Sequence, residues 1–421
     1  MSPLKNPCLS IAFSLLVLAS DAGAVEPLTL SQALATALQK NPTLKVHSFG
    51  ARIAEARILQ AGLKPNPELS VQVENVLGTG PLSGVKGLET TLQLSQVIDL
   101  AGSRARRVET ATASRELADA DYETQRVDVF AEVARRFTET AADKQRLVTA
   151  RAARELAEQT LAAVQSRVEA AKASPLELSK ARTAVALLEI AEEHAERELD
   201  VGRQSLAAIL GELEPGFGEI SADLLTLPSV PEYSSLSARL EQSPVLARYA
   251  VESRWHDAQA RLAQSLRRTG PLVSAGLRRV EASDDFGFVA GVSLPLALHD
   301  QTQGNVREAR ELRAQTEASI EAARIDLRAS LFAVYQAMLH ARTALNQLHQ
   351  KVIPEAEASL MLARQGYETG RFSLFELLDA QKSLIDLRST VIANAAAFHL
   401  HVIEIERLLG APLAAMPSAQ P

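Results

Sequence analysis

Cysteine and aromatic residues are scarce in this sequence. Cys8 is the single cysteine among 421 residues, and Phe, Trp and Tyr together account for 4% of the chain. Hydrophobic residues nevertheless make up 47% of it, with Ala and Leu abundant. This composition favours long helices that pack through small side chains over the core of a conventional globular enzyme.

The sequence also lacks an excess of positive charge and the motifs of common catalytic sites. Its formal net charge is −7, so we expect no nucleic acid partner. It contains no Ser/His/Asp order, glycine-rich phosphate loop or His-Glu-x-x-His motif, and we therefore expect neither catalysis nor a cofactor. Beyond the N-terminus, no apolar run reaches the roughly 18 residues that predict a transmembrane helix.

Residues 1–24 are predicted to be a secretory signal peptide. Lys5 supplies a positive charge, residues 9–18 form a short apolar stretch, and Ala22-Gly23-Ala24 is a small-residue cleavage site. The alternative is a buried N-terminal helix. If the leader is removed, Cys8 goes with it, and the mature chain can form neither disulfides nor thiolate metal sites.

Glycine and proline are absent from a stretch of unusual length. Neither occurs in residues 104–172, and at ~1.5 Å per residue a continuous helix there would be roughly 100 Å long. Ser174-Pro175 predicts the cap and first turn of a return helix that ends near Leu210. A second long helix is predicted for residues 304–369, within which Pro354 should introduce a kink or end a segment.

Four stretches of strand length lie between the helices, at about residues 68–76, 88–97, 271–280 and 286–295. Their apolar and polar residues alternate, and each is long enough to cross a bilayer when tilted. Four strands cannot close a barrel, and an open edge in lipid leaves backbone groups without partners. The pattern therefore predicts assembly with further copies of the chain. The alternative is a soluble protein with two β-hairpins between coiled coils.

The break between helices at residues 364–382 has a fainter copy 199 residues earlier. Residues 174–178 align with residues 373–377, and Leu210-Gly211 aligns with Leu409-Gly410. Such an internal copy indicates a repeat. The predicted organisation is a first repeat at 25–211, a connector at 212–233, a second repeat at 234–410 and a flexible tail at 411–421. Each repeat would hold two strands and one long helical hairpin.

Several motifs resemble those of the TolC-type outer-membrane efflux channels, within them the branch that serves cobalt–zinc–cadmium export. They lie at residues 28–33, 41–42, 60–69, 74–75 and 366–370, the last reading Gly-Tyr-Glu-Thr-Gly. The resemblance implies a mainly α-helical fold with a β-barrel part, formed by a homotrimer with a twelve-stranded barrel in outer-membrane lipid. A long helical tunnel would occupy the periplasm of a Gram-negative bacterium. The implied partners are a periplasmic adaptor and an inner-membrane, proton-driven pump of the resistance-nodulation-division type.

The resemblance also assigns a role to the two hairpin tips, where family members close the periplasmic entrance and contact the adaptor. Exposed Phe372 and Leu374 would support such contact, because apolar groups exposed at a loop tip often mark interfaces. A capped helical hairpin without a partner explains the glycine and the serine equally well. The candidate contact residues are Gly370, Arg371, Phe372, Ser373 and Leu374 in the second tip, with Ala171, Ser174, Pro175 and Leu176 in the first.

Glu376 and Asp379 follow the second tip and share one helical face, being three residues apart. Carboxylates at the matching positions of the family line the narrow entrance, and three copies would place six of them around one axis, where they would attract cations. The alternative is that both acids stabilise the helix N-terminus. The first tip offers Glu177 but Lys180 at the equivalent positions, so the ring would not be doubled.

Histidine gives little support for a metal site. The eight histidines are scattered, and His399 and His401, two apart on a helix, project in nearly opposite directions. We therefore expect no bound metal.

Three functions remain open: a duct for heavy-metal cations, the same type of duct for drugs or small organic toxins, and a structural coiled-coil protein of the cell envelope.

Overall fold

A computed structural model of the protein describes residues 27–267 and 270–413. The predicted leader and residues 414–421 of the predicted tail lie outside the described residues. The tail was expected to begin at residue 411, but Leu413 is buried and its N–H donates to the Glu406 carboxylate. The described chain is therefore packed against α9 as far as Leu413, where α9 is the helix Leu374–Leu409.

The described chain is mostly helical, with two pairs of strands between the helices. In chain order the elements are α1 (Leu30–Lys40), α2 (Pro42–Gly62), β1 (Glu68–Glu74), β2 (Glu89–Val97), α3 (Ser103–Glu169), α4 (Pro175–Leu210), α5 (Tyr233–Arg239), α6 (Pro244–Ser265), β3 (Leu272–Val280), β4 (Asp285–Ser293), α7 (Gln303–Gln347), α8 (Ile353–Glu368) and α9 (Leu374–Leu409). Each strand boundary lies within two residues of its prediction.

The longest helix confirms the prediction drawn from the missing glycine and proline. Helix α3 spans 67 residues, because no residue in it breaks the i to i−4 hydrogen bonds. The return helix α4 starts at Pro175, behind the N-cap Ser174, and ends at Leu210, with Gly211 as its C-cap. Gly211 has φ of 86°, a left-handed conformation that glycine adopts without a steric penalty.

The second long helix is divided, as Pro354 predicts. Helix α7 ends at Gln347, a π-helical turn covers Leu348–Val352, and α8 begins at Ile353 with the proline in its first turn. Proline has no N–H to donate, and its ring excludes the carbonyl of the residue four positions earlier. One wide turn accommodates the resulting break in the hydrogen-bond ladder.

The four strands form one antiparallel sheet in the order β1-β2-β3-β4. The central contact is between β2 and β3, with Leu92 opposite Leu277 and Ser95 opposite Ser274. Because these two strands come from distant parts of the chain, this pairing joins the two hairpins into a single sheet. Strands β1 and β4 are left as its edges.

The two faces of the sheet differ in chemistry. One face is polar, and there Arg278 forms ion pairs with Glu74 and Glu89 and donates to Thr91. The opposite face carries exposed apolar side chains, because alternate residues of a strand share a face. These are Leu69, Val71, Val73, Leu92, Leu94, Val273, Leu277, Phe286, Phe288 and Val292.

The apolar core lies within the helical part, in several separate clusters. The largest is built by α5, α6, α7 and α9, and a second by α1, α3 and α4. Leu224, in the predicted connector, packs against both of them. The connector therefore binds the two halves of the helical part together.

Among the described residues, no helix combines the length and the apolar content needed to span a membrane.

Candidate functional site at the hairpin tips

The two hairpin tips are built by the same backbone hydrogen bonds. In the first tip (170–174), the N–H of Lys172 donates to the Arg167 carbonyl at 2.7 Å. In the second (369–373), the N–H of Arg371 donates to the Gly366 carbonyl at 2.7 Å. Each helix thus ends in a Schellman motif, whose left-handed residue is Ala171 (φ 55°) in one tip and Gly370 (φ 76°) in the other.

Matching capping boxes start the return helices. Ser174 and Glu177 exchange side-chain and backbone hydrogen bonds at the start of α4, and Ser373 and Glu376 do so at the start of α9. Glu376 Oε2 accepts from the Ser373 N–H at 2.6 Å and from its hydroxyl group at 3.0 Å. Within one chain, Glu376 therefore acts as an N-terminal capping acid, the alternative that the sequence left open.

Asp379 lies one turn further along α9 and is exposed, as is Glu376. Neither carboxylate is enclosed by its own chain, so both remain accessible to solvent. Whether the two acids line an entrance depends on further copies of the chain, and the ring of carboxylates stays a prediction.

Leu374 is buried, and the prediction that it is exposed was wrong. Its side chain is 3% exposed, because the first turn of α9 directs it into a cluster with Tyr367 and Leu377. Phe372 is 44% exposed and lies over Gly366, where a Cβ atom would come within 2.0 Å of its ring. Glycine at this position is therefore required by the packing of that ring.

Two other side chains add exposed apolar surface at the tips. Leu176 is 64% exposed and Phe375 is 71% exposed. Leu176 was among the predicted contact residues, whereas Phe375 was missed. Its neighbours Leu374 and Leu377 face the core, and the helical period of about 3.6 residues places residue 375 on the outer side.

Arg167 connects the two tips and was not predicted. Its Nη1 donates to the carbonyl groups of Tyr367 at 2.8 Å and Glu368 at 2.9 Å, in the last turn of α8. Its guanidinium carbon lies 4.7 Å from the centroid of the Tyr367 ring. A cation at a helix C-terminus is stabilised by the helix dipole and by free carbonyl groups, and Arg167 supplies such a cation to α8 from α3.

Tyr367 completes the connection on the other side. Its hydroxyl group donates to Glu177 Oε2 at 3.1 Å, and its side chain is buried. Burial raises the pKa of Tyr367 to about 12, and the hydrogen bond to Glu177 adds to the shift. The sequence signal was partial, since Tyr367 belongs to the Gly-Tyr-Glu-Thr-Gly motif but nothing indicated its partners.

A buried polar pair lies near the apolar cluster that contains Tyr367, Leu374 and Leu377. Gln381 Nε2 donates to Thr160 Oγ1 at 2.7 Å, which ties α9 to α3. A cavity of about 250 Å³ adjoins this pair between α3 and α8, with Glu357, Arg364 and Glu368 in its lining. The two hairpins are thus held together near their tips by an apolar cluster and by two sets of polar contacts. One is the Gln381–Thr160 pair, and the other is formed by Arg167, Tyr367 and Glu177.

The described histidines do not cluster: His194 is exposed beside Glu198 on α4, whereas His399 packs against the connector. His399 is half-buried against the connector, with Nε2 3.1 Å from the Leu224 carbonyl, and burial lowers its pKa. In the ranges 27–267 and 270–413, no group of three or more His, Cys, Asp or Glu side chains is arranged to hold a metal ion.

Comparisons with known sequences show that this chain is similar to outer-membrane efflux proteins. A family model for "Outer membrane efflux protein" matches residues 33–212 and 236–411. The cobalt-zinc-cadmium resistance protein CzcC of Cupriavidus metallidurans is 31% identical over 387 residues, which cover 92% of this chain and 91% of that protein. The nickel-cobalt-cadmium resistance protein NccC of Alcaligenes xylosoxydans xylosoxydans is 26% identical over 327 residues, with coverages of 77% and 73%.

Solved structures give the same fold. The outer membrane protein VceC from Vibrio cholerae superposes with a TM-score of 0.72 at 18% identity, over 91% of this chain and 96% of that chain. CusC superposes with a TM-score of 0.73 at 17% identity, over 97% and 99% of the two chains.

Proposed function

Because this chain belongs to the outer membrane efflux protein family, we propose that it is the outer-membrane channel of a tripartite efflux system and passively conducts divalent heavy-metal cations. The protein is located in the outer membrane of a Gram-negative bacterium. Its family consists of efflux channels, which are not enzymes.

The observation that carries the proposal is the exposed apolar face of the sheet. Side chains such as Leu92 on β2 and Phe288 on β4 would be unfavourable in water but suit the hydrocarbon of a bilayer. The polar face, with Arg278 and its two glutamates, suits a water-filled lumen. One sheet thus has the two surfaces that a membrane channel needs.

Assembly into a trimer would satisfy the edges of the sheet. Strands β1 and β4 pair with one neighbour each in a single chain, and unpaired backbone groups are costly in lipid. Pairing β1 of one chain with β4 of the next would close a barrel of twelve strands from three chains. The long helical hairpins, one from each of two structural repeats, would continue from it as a tunnel through the periplasm.

The tips would then form the periplasmic end of the tunnel and contact the adaptor of the pump complex. Phe372, Phe375 and Leu176 offer exposed apolar surface there, and Arg371 is exposed beside them. The inner-membrane partner would be a pump of the resistance-nodulation-division type. The residues that would shape the contact surface are Gly370, Ser373, Ala171, Ser174 and Pro175.

Glu376 and Asp379 are proposed to line the closed entrance of the trimer. Both are exposed within one chain, so assembly is free to bring three copies of each around the axis. A ring of carboxylates attracts cations, which agrees with metal ions as cargo.

Heavy-metal cations are preferred as cargo because of the relatives. CzcC and NccC are named for resistance to cobalt, zinc, cadmium and nickel, and CzcC matches 92% of this chain. The second candidate cargo is a drug or small organic toxin, because a passive duct need not select what it conducts.

Two experiments test the proposal. The purified protein should form pores in a planar lipid bilayer. The absence of any conductance would refute the proposal that it is a channel. Deletion of the gene should reduce tolerance to cobalt, zinc and cadmium but not to a drug panel. Loss of drug tolerance alone would show that the metal assignment is wrong.

A further inference from the structure

A basic cavity lies where the sheet meets the helices. Its volume is about 570 Å³, and its lining includes Lys64, which follows α2, and Arg104 and Arg107 from the first turns of α3. The cavity is bounded on the sheet side by the last residues of β2, and on the other side by Leu266 after α6.

The cavity adjoins the apolar face of the sheet. Gln96 lines it and lies on the same face of β2 as Leu92 and Leu94, because alternate residues share a face. Gln96 Nε2 also donates to the Pro65 carbonyl at 2.9 Å. This contact brings Lys64 and Pro65 to the border of the surface that we assign to lipid.

Three basic side chains and one carboxylate, that of Asp99, line the cavity, so its net charge is positive. Lys64 and Arg104 have exposed side chains, and neither forms an ion pair within the part of the chain that the structure describes. Asp99 also lines the cavity, but its carboxylate accepts the N–H groups of Ser103 at 2.9 Å and Arg104 at 2.7 Å. These hydrogen bonds orient that carboxylate toward the start of α3 and lower its pKa, so it stays negatively charged, and Lys64 and Arg104 remain without an ion-pair partner among the described residues.

Apolar side chains surround the basic ones. Ile98 is exposed in the lining of the cavity, and the exposed Leu63 and Leu100 are the chain neighbours of the lining residues Lys64 and Asp99. A site with basic groups beside an apolar surface suits an amphipathic anion, because Lys and Arg bind phosphate while the leucines contact hydrocarbon. A free phosphate ion would use only the first of these features.

We propose that this cavity binds the headgroup of an anionic phospholipid in the membrane leaflet nearer the helices. Lys64 and Arg104 contact the phosphate, and Leu63 and Leu100 contact the first part of the acyl chains. The proposal rests on the proposed orientation of the sheet, with its apolar face in the bilayer. The bound lipid anchors the junction between the membrane part and the tunnel.

A second basic cavity at the same end of the sheet is less suited to the role. It is lined by Arg267, Arg307 and Arg310, but Glu311 lies 3.9 Å from Arg307 and Gln301 accepts from Arg267. Part of its charge is already paired, so we assign the lipid to the first cavity.

The test compares lipid binding by three forms of the purified full-length channel. They are the wild type, the double variant Lys64→Gln/Arg104→Gln, and the control double variant Lys180→Gln/Arg182→Gln. The control removes the same charge from exposed residues of α4 near the first tip. Native mass spectrometry counts bound phosphatidylglycerol and, in a separate arm, phosphatidylcholine.

We expect phosphatidylglycerol to bind the wild type and the control equally, and the cavity variant about tenfold or more weakly, since each basic residue near an anionic membrane surface contributes severalfold. Equal binding by the cavity variant and the control would overturn the proposal, as would equal binding of phosphatidylcholine. Inorganic phosphate should not displace the lipid; displacement at equal concentration would show a simple phosphate site instead.

Bilayer conductance of the same three preparations separates this proposal from the proposed function. A cavity variant that conducts but has lost phosphatidylglycerol supports the lipid site. If no preparation conducts while the wild type still binds the lipid selectively, the channel assignment fails and the lipid site stands.

Discussion

The hydroxyl group of Tyr367 donates a hydrogen bond to the Glu177 carboxylate, 3.1 Å away, between the two hairpin tips. Arg167 lies over the ring of the same tyrosine and donates to its carbonyl group. These three residues couple α3, α4 and α8 at the end of the helical part that we assign to the periplasmic entrance. Single substitutions of these residues should therefore change the stability of the tips by a measurable amount.

Replacing Tyr367 with Phe should destabilise the tips by about 1–2 kcal/mol, because Glu177 loses a hydrogen bond. The effect should depend on pH. The pKa of Tyr367 is raised from 10.0 to about 12, so the stabilisation is present below pH 10 and is lost as pH rises through about 12. Chemical denaturation of both proteins between about pH 7 and about pH 11 measures the difference.

The control for this experiment is Tyr122→Phe, since Tyr122 packs against the cluster of α1, α3 and α4 and its hydroxyl group forms no hydrogen bond among the described residues. A difference between wild type and Tyr367→Phe that stays constant up to about pH 11 would contradict the coupling to Glu177.

Replacing Arg167 with Ala should loosen the second tip. The substitution removes two hydrogen bonds to carbonyl groups and a cation–π contact, which together stabilise the tip by about 1–3 kcal/mol. Amide exchange in residues 366–372 should become about tenfold faster or more. Exposed Arg182 on α4 serves as the control, and Arg182→Ala should leave these rates unchanged; equal rates in both variants would show that Arg167 does not hold the tip.

The left-handed residue is alanine in the first tip and glycine in the second. Replacing Gly with Ala, and Ala with Gly, should therefore change stability in opposite directions. Gly370→Ala should lower the stability of the second tip by about 1 kcal/mol, because a Cβ atom is unfavourable at positive φ. Ala171→Gly removes the same strain from the first tip and should be neutral or stabilising by up to about 1 kcal/mol. Denaturation midpoints of both variants against wild type check the pair, and a stabilising Gly370→Ala would refute the backbone assignment.

Neutralising the paired acids should reduce the preference of the channel for cations. Glu376→Gln retains a capping side chain at the third position of α9, and Asp379→Asn keeps the shape of the side chain, so the tip should fold normally. Reversal potentials in a salt gradient measure the preference. The control is Glu155→Gln/Glu189→Gln, which changes exposed acids elsewhere on the hairpin; unchanged selectivity in the first variant would eliminate the ring of carboxylates.

Much of the local structure follows from the order of residues. The length of α3, the break at Pro354, the caps Ser174 and Ser373, and the four strands were all predictable, because hydrogen-bond patterns and side-chain period act over a few residues. The polar and apolar alternation also indicated the two faces of the sheet. These features need no knowledge of distant neighbours.

The sequence by itself therefore determined most of the elements and the approximate ends of the strands and long helices, but not the short helix α5, and the tertiary structure decided how the elements meet. Leu374 became a core residue only because the two hairpins pack together at their tips. The contacts of Arg167 with Tyr367 and of Gln381 with Thr160 join residues far apart in the chain. Such pairs depend on the relative placement of whole helices, which is set by the summed packing of many side chains and not by any local pattern.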